Sequence, residues 1–549
     1  MRYIFLLGYL LLSLTGVSQP KADSIQQIKE WLKWYDLDFS SVETDSMLGE
    51  LRDFSELYKK MHSRLPANNI PYPLSFQPAP YGFVIPQKQQ KIDWNIPKNV
   101  TLPGNKNELA FYSIPQLASL IKNKKISSVE LTKFFIDRLK KWGDTLECVV
   151  TLTEELALKE AQQADTDLKN GIYRGPLHGI PYGLKDLFAV KGYKTTWGST
   201  PYKDQVIDEN AYIYIRLKDA GAVLCAKLSL GALAYDNKWF GGFTRNPWNL
   251  QQGSSGSSAG SAAATVAGLL PFTIGTETLG SIVSPSNRCG ATGLRPTFGT
   301  VSRSGAMVLC WSLDKTGPIC RSAEDAAIVY YHIKGTDGKD GSAIDHAFNY
   351  SSKTDLKKLR IAYAKNYFDR LAKDASEWKV LDTYRSMGVN LQAVEFPDST
   401  LYPFNIIDIV LSAESAAAFD ELTRTNRDDL IERQDKNFWP NIFRAARVIP
   451  AVEYINANRY RYQLCEGMNK FMKNYDVLIV PTYAGRQLSI TNLSGHPVVC
   501  MPMGFNEKGL PQSITLIGNL YDEASIVVAA KAYQDKTNHN KKHPAKFSE

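Results

Sequence analysis

The stretch Gly253-Ser254-Ser255-Gly256-Ser257-Ser258-Ala259-Gly260-Ser261 concentrates hydroxyl groups and small residues in one loop. It runs without a break into the alanine-rich segment Ala262 to Gly268, of the kind that packs closely, which argues against a flexible linker between domains. Small residues here let the backbone approach something. A phosphate-cradling loop would need G-x-x-x-x-G-K-[ST] or G-x-G-x-x-G between a strand and a helix, and this stretch has neither. Gly256-Ser257-Ser258-Ala259-Gly260 does satisfy the G-x-S-x-G of a nucleophile elbow, with Ser258 as the attacking group. That esterase-type reading needs an acid and then a histidine downstream, and His496 is the well-placed candidate. Metal chemistry finds no support: there is no H-E-x-x-H, and the pair His539 and His543 lies in a basic tail. Cys148, Cys225, Cys289, Cys310, Cys320, Cys465 and Cys500 form no C-x-x-C and read as buried small hydrophobes with at most a bridge or two. The sequence asks for no metal and no cofactor.

Further blocks surround the loop. Upstream lies Gly179-Ile180-Pro181-Tyr182-Gly183-Leu184-Lys185-Asp186; downstream come Gly275-Thr276-Glu277-Thr278-Leu279-Gly280-Ser281-Ile282-Val283-Ser284-Pro285 and Cys289-Gly290-Ala291-Thr292-Gly293-Leu294-Arg295-Pro296-Thr297. Together they resemble the amidase signature family, whose members hydrolyse amides with a Ser–cis-Ser–Lys triad. The resemblance extends through Gly175-Pro176-Leu177-His178, Thr244-Arg245-Asn246-Pro247-Trp248, Leu313-Asp314-Lys315-Thr316-Gly317-Pro318 and Gly495-His496-Pro497. It is dense over residues 108–335 and thinner over 475–535.

The resemblance implies a nucleophile at Ser281, a bridging serine 24 positions earlier at Ser257, and a base at Lys185. It also implies an oxyanion hole made of the backbone N–H groups of Thr278, Leu279, Gly280 and Ser281. The chemistry is coherent. A serine hydroxyl is a poor nucleophile until a base takes its proton. A lysine serves as that base only if burial lowers its pKa, and Leu184 and Leu187 flank Lys185. The expected enzyme is an amidase, a metal-independent hydrolase of carbon–nitrogen bonds in linear amides other than peptides, acting on a small molecule through an acyl-enzyme. Asp186 either orients the lysine or caps a turn, and His178 and His496 read as structural or at most substrate-proximal.

Two positions depart from the family. Many members carry Gly or Asp where this chain has Leu279, and Arg where it has Val283. The expectation is an apolar acyl pocket and a substrate uncharged near the reacting carbon.

These groups need a scaffold. Ser127-Ser128-Val129-Glu130 is a capping-box pattern followed by Leu131, Phe134, Phe135 and Leu139, which predicts an amphipathic helix to about Trp142. Strand-like runs recur at 149–152, 180–184, 222–227, 359–363, 477–480, 498–501 and 513–517, between helical stretches. This alternation predicts a large α/β sheet with helices on both faces; the resemblance implies that the sheet is mixed. Residues 19–107 read as a prefix, helical in pattern from Asp23 to Tyr72 and then extended and proline-rich. Residues 108–549 read as the catalytic domain, with 336–474 as a variable, substrate-shaping region.

Composition is that of a globular protein: 44% hydrophobic and 22% charged residues exclude a disordered or collagenous chain. The net charge of +8 gives no reason to expect a nucleic-acid partner. Arg2, the apolar run Ile4 to Leu14 and the small residues Gly16 and Ser18 read as a secretory signal cleaved after Ser18, which predicts a periplasmic or secreted protein with no membrane attachment afterwards. Oligomeric state is not encoded legibly. Three other readings stay open: the A component of a glutamine-dependent aminoacyl-tRNA amidotransferase, the Ser258 esterase, and a catalytically silent binding protein on this fold.

Overall fold

The computed structural model describes residues 19–63, 68, 70 and 74–549, so the signal reading of residues 1–18 lies outside the described residues. Compactness divides the chain into two units, Met1–Ile70 and Pro71–Glu549. Residues 74–107, with Pro78, Pro80 and Pro86, therefore belong to the second unit.

In the first unit the helical pattern resolves into two helices, Gln19–Lys33 and Ser41–His62. The break carries its own signal. Ser40 accepts the Glu43 N–H at 3.2 Å, and the Glu43 carboxylate accepts the Ser40 N–H at 2.7 Å, a reciprocal cap that starts the second helix afresh.

The second unit is built on one mixed sheet. In chain order its strands among the described residues are β1 (Val149–Leu152), β2 (Pro181–Lys185), β3 (Val223–Leu228), β4 (Phe272–Glu277), β5 (Thr292–Arg295), β6 (Lys315–Cys320), β7 (Ile361–Ala364), β8 (Gln392–Val394), β9 (Val477–Pro481), β10 (Val498–Phe505) and β11 (Pro511–Gly518). Their order across the sheet is β1-β3-β2-β4-β6-β5-β10-β11-β9-β7-β8. The trios β3-β2-β4 and β9-β7-β8 run parallel and the other pairs antiparallel. The seven apolar runs of the sequence correspond to β1, β2, β3, β7, β9, β10 and β11.

The strands that the pattern hides sit mainly at the centre. β4 and β6 carry Gly275 and Gly317 directly opposite one another, and Pro318 follows, residues that ordinarily argue against a strand. The reason is crowding. A Cβ at Gly275 would lie 2.7 Å from Ser258 Oγ, and one at Gly317 would lie 2.1 Å from the Leu294 carbonyl.

Helices flank this sheet. Helix Ser128–Leu146 is capped as its sequence predicts, with Ser127 accepting the Glu130 N–H at 3.1 Å and Glu130 accepting the Ser127 N–H at 2.9 Å. It buries Leu131, Phe134, Phe135 and Leu139, each contributing about 1.5–3 kcal/mol. It runs past Trp142 and ends at Glu147, which takes a left-handed φ of 49°. A second apolar cluster joins helices Ile406–Ala418, Ala451–Met472 and Gln487–Ser494 to β7, β9 and β10. No helix among the described residues is long and apolar enough to cross a membrane.

Candidate active site

Lys185 ends β2 in full burial, and its Nζ is surrounded by hydroxyls. Ser257 Oγ and Thr276 Oγ1 each lie 2.8 Å away, Ser258 Oγ 3.2 Å and the Thr276 carbonyl 3.4 Å. Burial drives the lysine down to about 7, against an upward pull from Asp314 and Glu277. A neutral amine, able to accept a proton, is therefore well populated near neutral pH.

The two adjacent serines have different surroundings. Ser258 Oγ donates to the Thr276 carbonyl at 3.0 Å, accepts the Thr276 N–H at 3.1 Å and faces Lys185 as well, which uses its hydrogen and both lone pairs. It has no proton to give the lysine. Among the described residues Ser257 Oγ has no such anchors and meets only Lys185, and the Gly256–Ser257 peptide is cis. Gly256 is packed so closely that a Cβ would stand 1.8 Å from the Asp236 carbonyl.

Ser281 lies in the turn between β4 and helix Val283–Cys289. Its carbonyl accepts the Ser258 N–H at 3.1 Å, which seats this turn against the serine loop. Among the described residues the N–H groups of Leu279, Gly280 and Ser281 have no acceptor within the protein. Gly280 has φ +84°, a conformation that side-chain-bearing residues rarely adopt.

Buried charge fixes the turn at both ends. Glu277 Oε2 accepts the N–H groups of Ile282 and Val283 at 2.9 and 3.0 Å, while Oε1 accepts Arg295 Nη1 at 2.6 Å and Asn492 Nδ2 at 2.9 Å. Burial pushes this carboxyl upward, but Arg295 and the donated hydrogen bonds outweigh it and hold it at about 2. Asp314 Oδ1 takes the Thr278 hydroxyl at 2.6 Å, and its Oδ2 takes the N–H groups of Leu309 and Cys310 at 2.8 and 3.0 Å.

The remaining candidates fall elsewhere. Asp186 does not face Lys185; it pairs with buried Lys227 at 2.7 Å and accepts the Thr196 N–H at 2.9 Å. His178 Nε2 meets the Ala164 carbonyl at 2.9 Å, and buried His496, pushed down to about 3 by burial and Arg295, meets Ser494 Oγ at 2.9 Å. Neither histidine is a partner of Ser258, so the esterase arrangement is not assembled. Val283 is wholly buried in the apolar cluster around helices Ile406–Ala418 and Ala451–Met472, and Leu279 is half-buried and packs against the same cluster. All seven cysteines are free and buried. Thr276, Glu277 and Asp314 stand inside the sequence blocks, but sequence reasoning does not see their roles, and it misses Lys227. Lys227 alone carries a local signal, an ammonium within the apolar run Val223 to Leu228, whereas the other three have polar neighbours.

The profile of the Amidase family matches residues 130–491. The chain is 33% identical over 481 residues to the A component of the glutamyl-tRNA(Gln) amidotransferase of Acinetobacter baumannii, covering 79% of this chain and 97% of that one. It is 32% identical over 479 residues to the corresponding component from Coxiella burnetii, covering 79% and 99%. Among solved structures, the native peptide amidase from Stenotrophomonas maltophilia superposes with a TM-score of 0.70 at 28% identity, covering 79% of this chain and 98% of that one. The profile spans more than half of the chain and both relatives are at least 32% identical to it, so the chain belongs to the amidase signature family.

Proposed function

We propose that the protein hydrolyses a linear carboxylic amide, uncharged near the reacting carbon, with Ser281 as nucleophile, Ser257 as proton relay and Lys185 as base. The observation that carries this reading is the buried Lys185 Nζ, held near neutrality in its pKa and 2.8 Å from Ser257 Oγ. Ser281 Oγ attacks the carbonyl carbon while Ser257 takes its proton and passes its own to Lys185. The oxygen that gains charge meets the N–H groups of Thr278, Leu279, Gly280 and Ser281, where preorganised donors are worth about 2.7–4 kcal/mol each. Collapse breaks the C–N bond, and the amine leaves with the proton returned from Lys185 through Ser257. Water then repeats the relay on the acyl-enzyme, releasing the acid and restoring Ser281.

The half-buried, apolar Leu279, two residues before Ser281, supports an apolar acyl group. A panel of neutral linear amides and short dicarboxylate monoamides tests the class: release of amine from the neutral set by wild type, and none by Lys185→Ala, is expected. A preference for the dicarboxylates contradicts the uncharged-substrate reading. Export is part of the proposal, resting on Arg2 to Ser18; a mature mass beginning at Gln19 in a periplasmic fraction checks it.

A second reading is favoured by the curated relatives, which are the A components of amidotransferases. It expects co-purification with partner chains and amidation of charged tRNA, whereas the hydrolase reading expects activity from the isolated chain.

A further inference from the structure

Resting on the reading in which the turn Thr278 to Ser281 holds the oxyanion, we propose that Glu414 is a positioning residue for that turn. Glu414 belongs to helix Ile406–Ala418, outside the sequence blocks that carry the family resemblance, and its side chain is buried. Its carboxylate collects four donors. Oε1 accepts the Ser312 hydroxyl at 2.6 Å and the Tyr454 hydroxyl at 2.8 Å; Oε2 accepts the Ser312 N–H at 2.9 Å and the Cys310 thiol at 3.2 Å. Arg461 closes on Ser312 from helix Ala451–Met472, donating Nη1 to its hydroxyl and Nη2 to its carbonyl, both at 2.8 Å.

The loop Leu309 to Asp314 is thus clamped at Cys310 and Ser312. Its last residue, Asp314, binds the loop's own first N–H groups with one oxygen and the Thr278 hydroxyl with the other. A run of buried or half-buried contacts therefore leads from Glu414 through Ser312 and Asp314 to Thr278, at the edge of the oxyanion turn. Carboxylate-centred bonds of this kind are the stronger ones and are rigid in a low dielectric. Catalysis by preorganised donors is sensitive to such support, because a displacement of about 1 Å costs up to about 100-fold.

The test uses full-length protein with Glu414→Met, which removes every acceptor, and Glu414→Gln, which keeps the shape. Hydrogen–deuterium exchange is followed in peptides spanning Gly275 to Val283 and, as a remote reference, β1. Kinetics are measured on an amide that wild type hydrolyses. Faster exchange confined to the Gly275–Val283 peptides is expected, with kcat lower by about 10- to 100-fold and KM within about threefold. Unchanged exchange there in both variants overturns the proposal, as does a rise shared equally by β1, or faster exchange with unaltered kcat. If wild type hydrolyses no amide and its Ser281 takes no serine-directed probe, the functional reading fails separately, and the exchange data alone decide whether Glu414 holds the turn.

Discussion

Thr276→Val isolates one contact of the proposed base. Valine keeps the shape of threonine but removes the Oγ1 acceptor that lies 2.8 Å from Lys185 Nζ. Contacts to Ser257 Oγ, Ser258 Oγ and the Thr276 carbonyl remain. A hydrogen bond stabilises a charged partner by about 1.5–3 kcal/mol and a neutral one by about 0.5–1.5, so the ammonium loses about 1–1.5 kcal/mol more than the amine. At about 1.4 kcal/mol per pKa unit, Lys185 falls by about one unit from its value near 7. The sign follows: the lost acceptor favoured the protonated form, so the free base appears at lower pH. The assay is the rate of fluorophosphonate labelling at Ser281 from about pH 5 to about pH 9, whose acidic limb reports the base. In the variant this limb is expected to move down by about one unit. A limb that stays fixed or moves upward would refute the assignment of Lys185 as the titrating group in contact with Thr276.

Glu277→Gln tests the buried anchor of the oxyanion turn. The wild-type carboxyl titrates at about 2 in the fold against 4.5 ordinarily, so its stabilisation is present above pH 4.5 and lost as pH falls toward 2. That loss, about 3 kcal/mol, is expected in urea unfolding of wild type and absent from the variant. At neutral pH the variant is expected to be less stable by about 3–5 kcal/mol, since Arg295 loses its charge partner. Ser258→Ala removes a hydroxyl bonded to Thr276 and Lys185, and should lower thermal stability while leaving Ser281 labelled by the probe. Lys227→Met strands the Asp186 carboxylate and is expected to cost about 3–5 kcal/mol, with much of it recovered in Lys227→Met/Asp186→Asn, as a double-mutant cycle would read.

Local signals are legible where one segment contains the whole cause. The Ser127/Glu130 cap and the apolar runs behind β2, β9 and β11 need no distant partner. Lys185, Ser257 and Ser281 are singled out only by the resemblance of their blocks to the family, since each taken alone reads as an ordinary lysine or serine. The rest depends on segments far apart in the chain. Thr276 meets Lys185 across 91 positions, and Glu414 meets Ser312 across 102. β4 and β6 stay hidden because their glycines answer to the crowding of Ser258 and Leu294, which belong to other segments. Val283 stands where many family members carry Arg, but it opens helix Val283–Cys289 and is packed into the core. Asp186 is ambiguous in sequence for a related reason: its cation, Lys227, lies on β3, the neighbouring strand.

The central claim is that Ser281 is the nucleophile. Intact-mass spectrometry with adduct mapping, on wild type and Ser281→Ala treated with a fluorophosphonate, tests it most directly. The account expects a single adduct on Ser281 in wild type and none in the variant. An adduct on Ser258, or none on folded wild type, would contradict it.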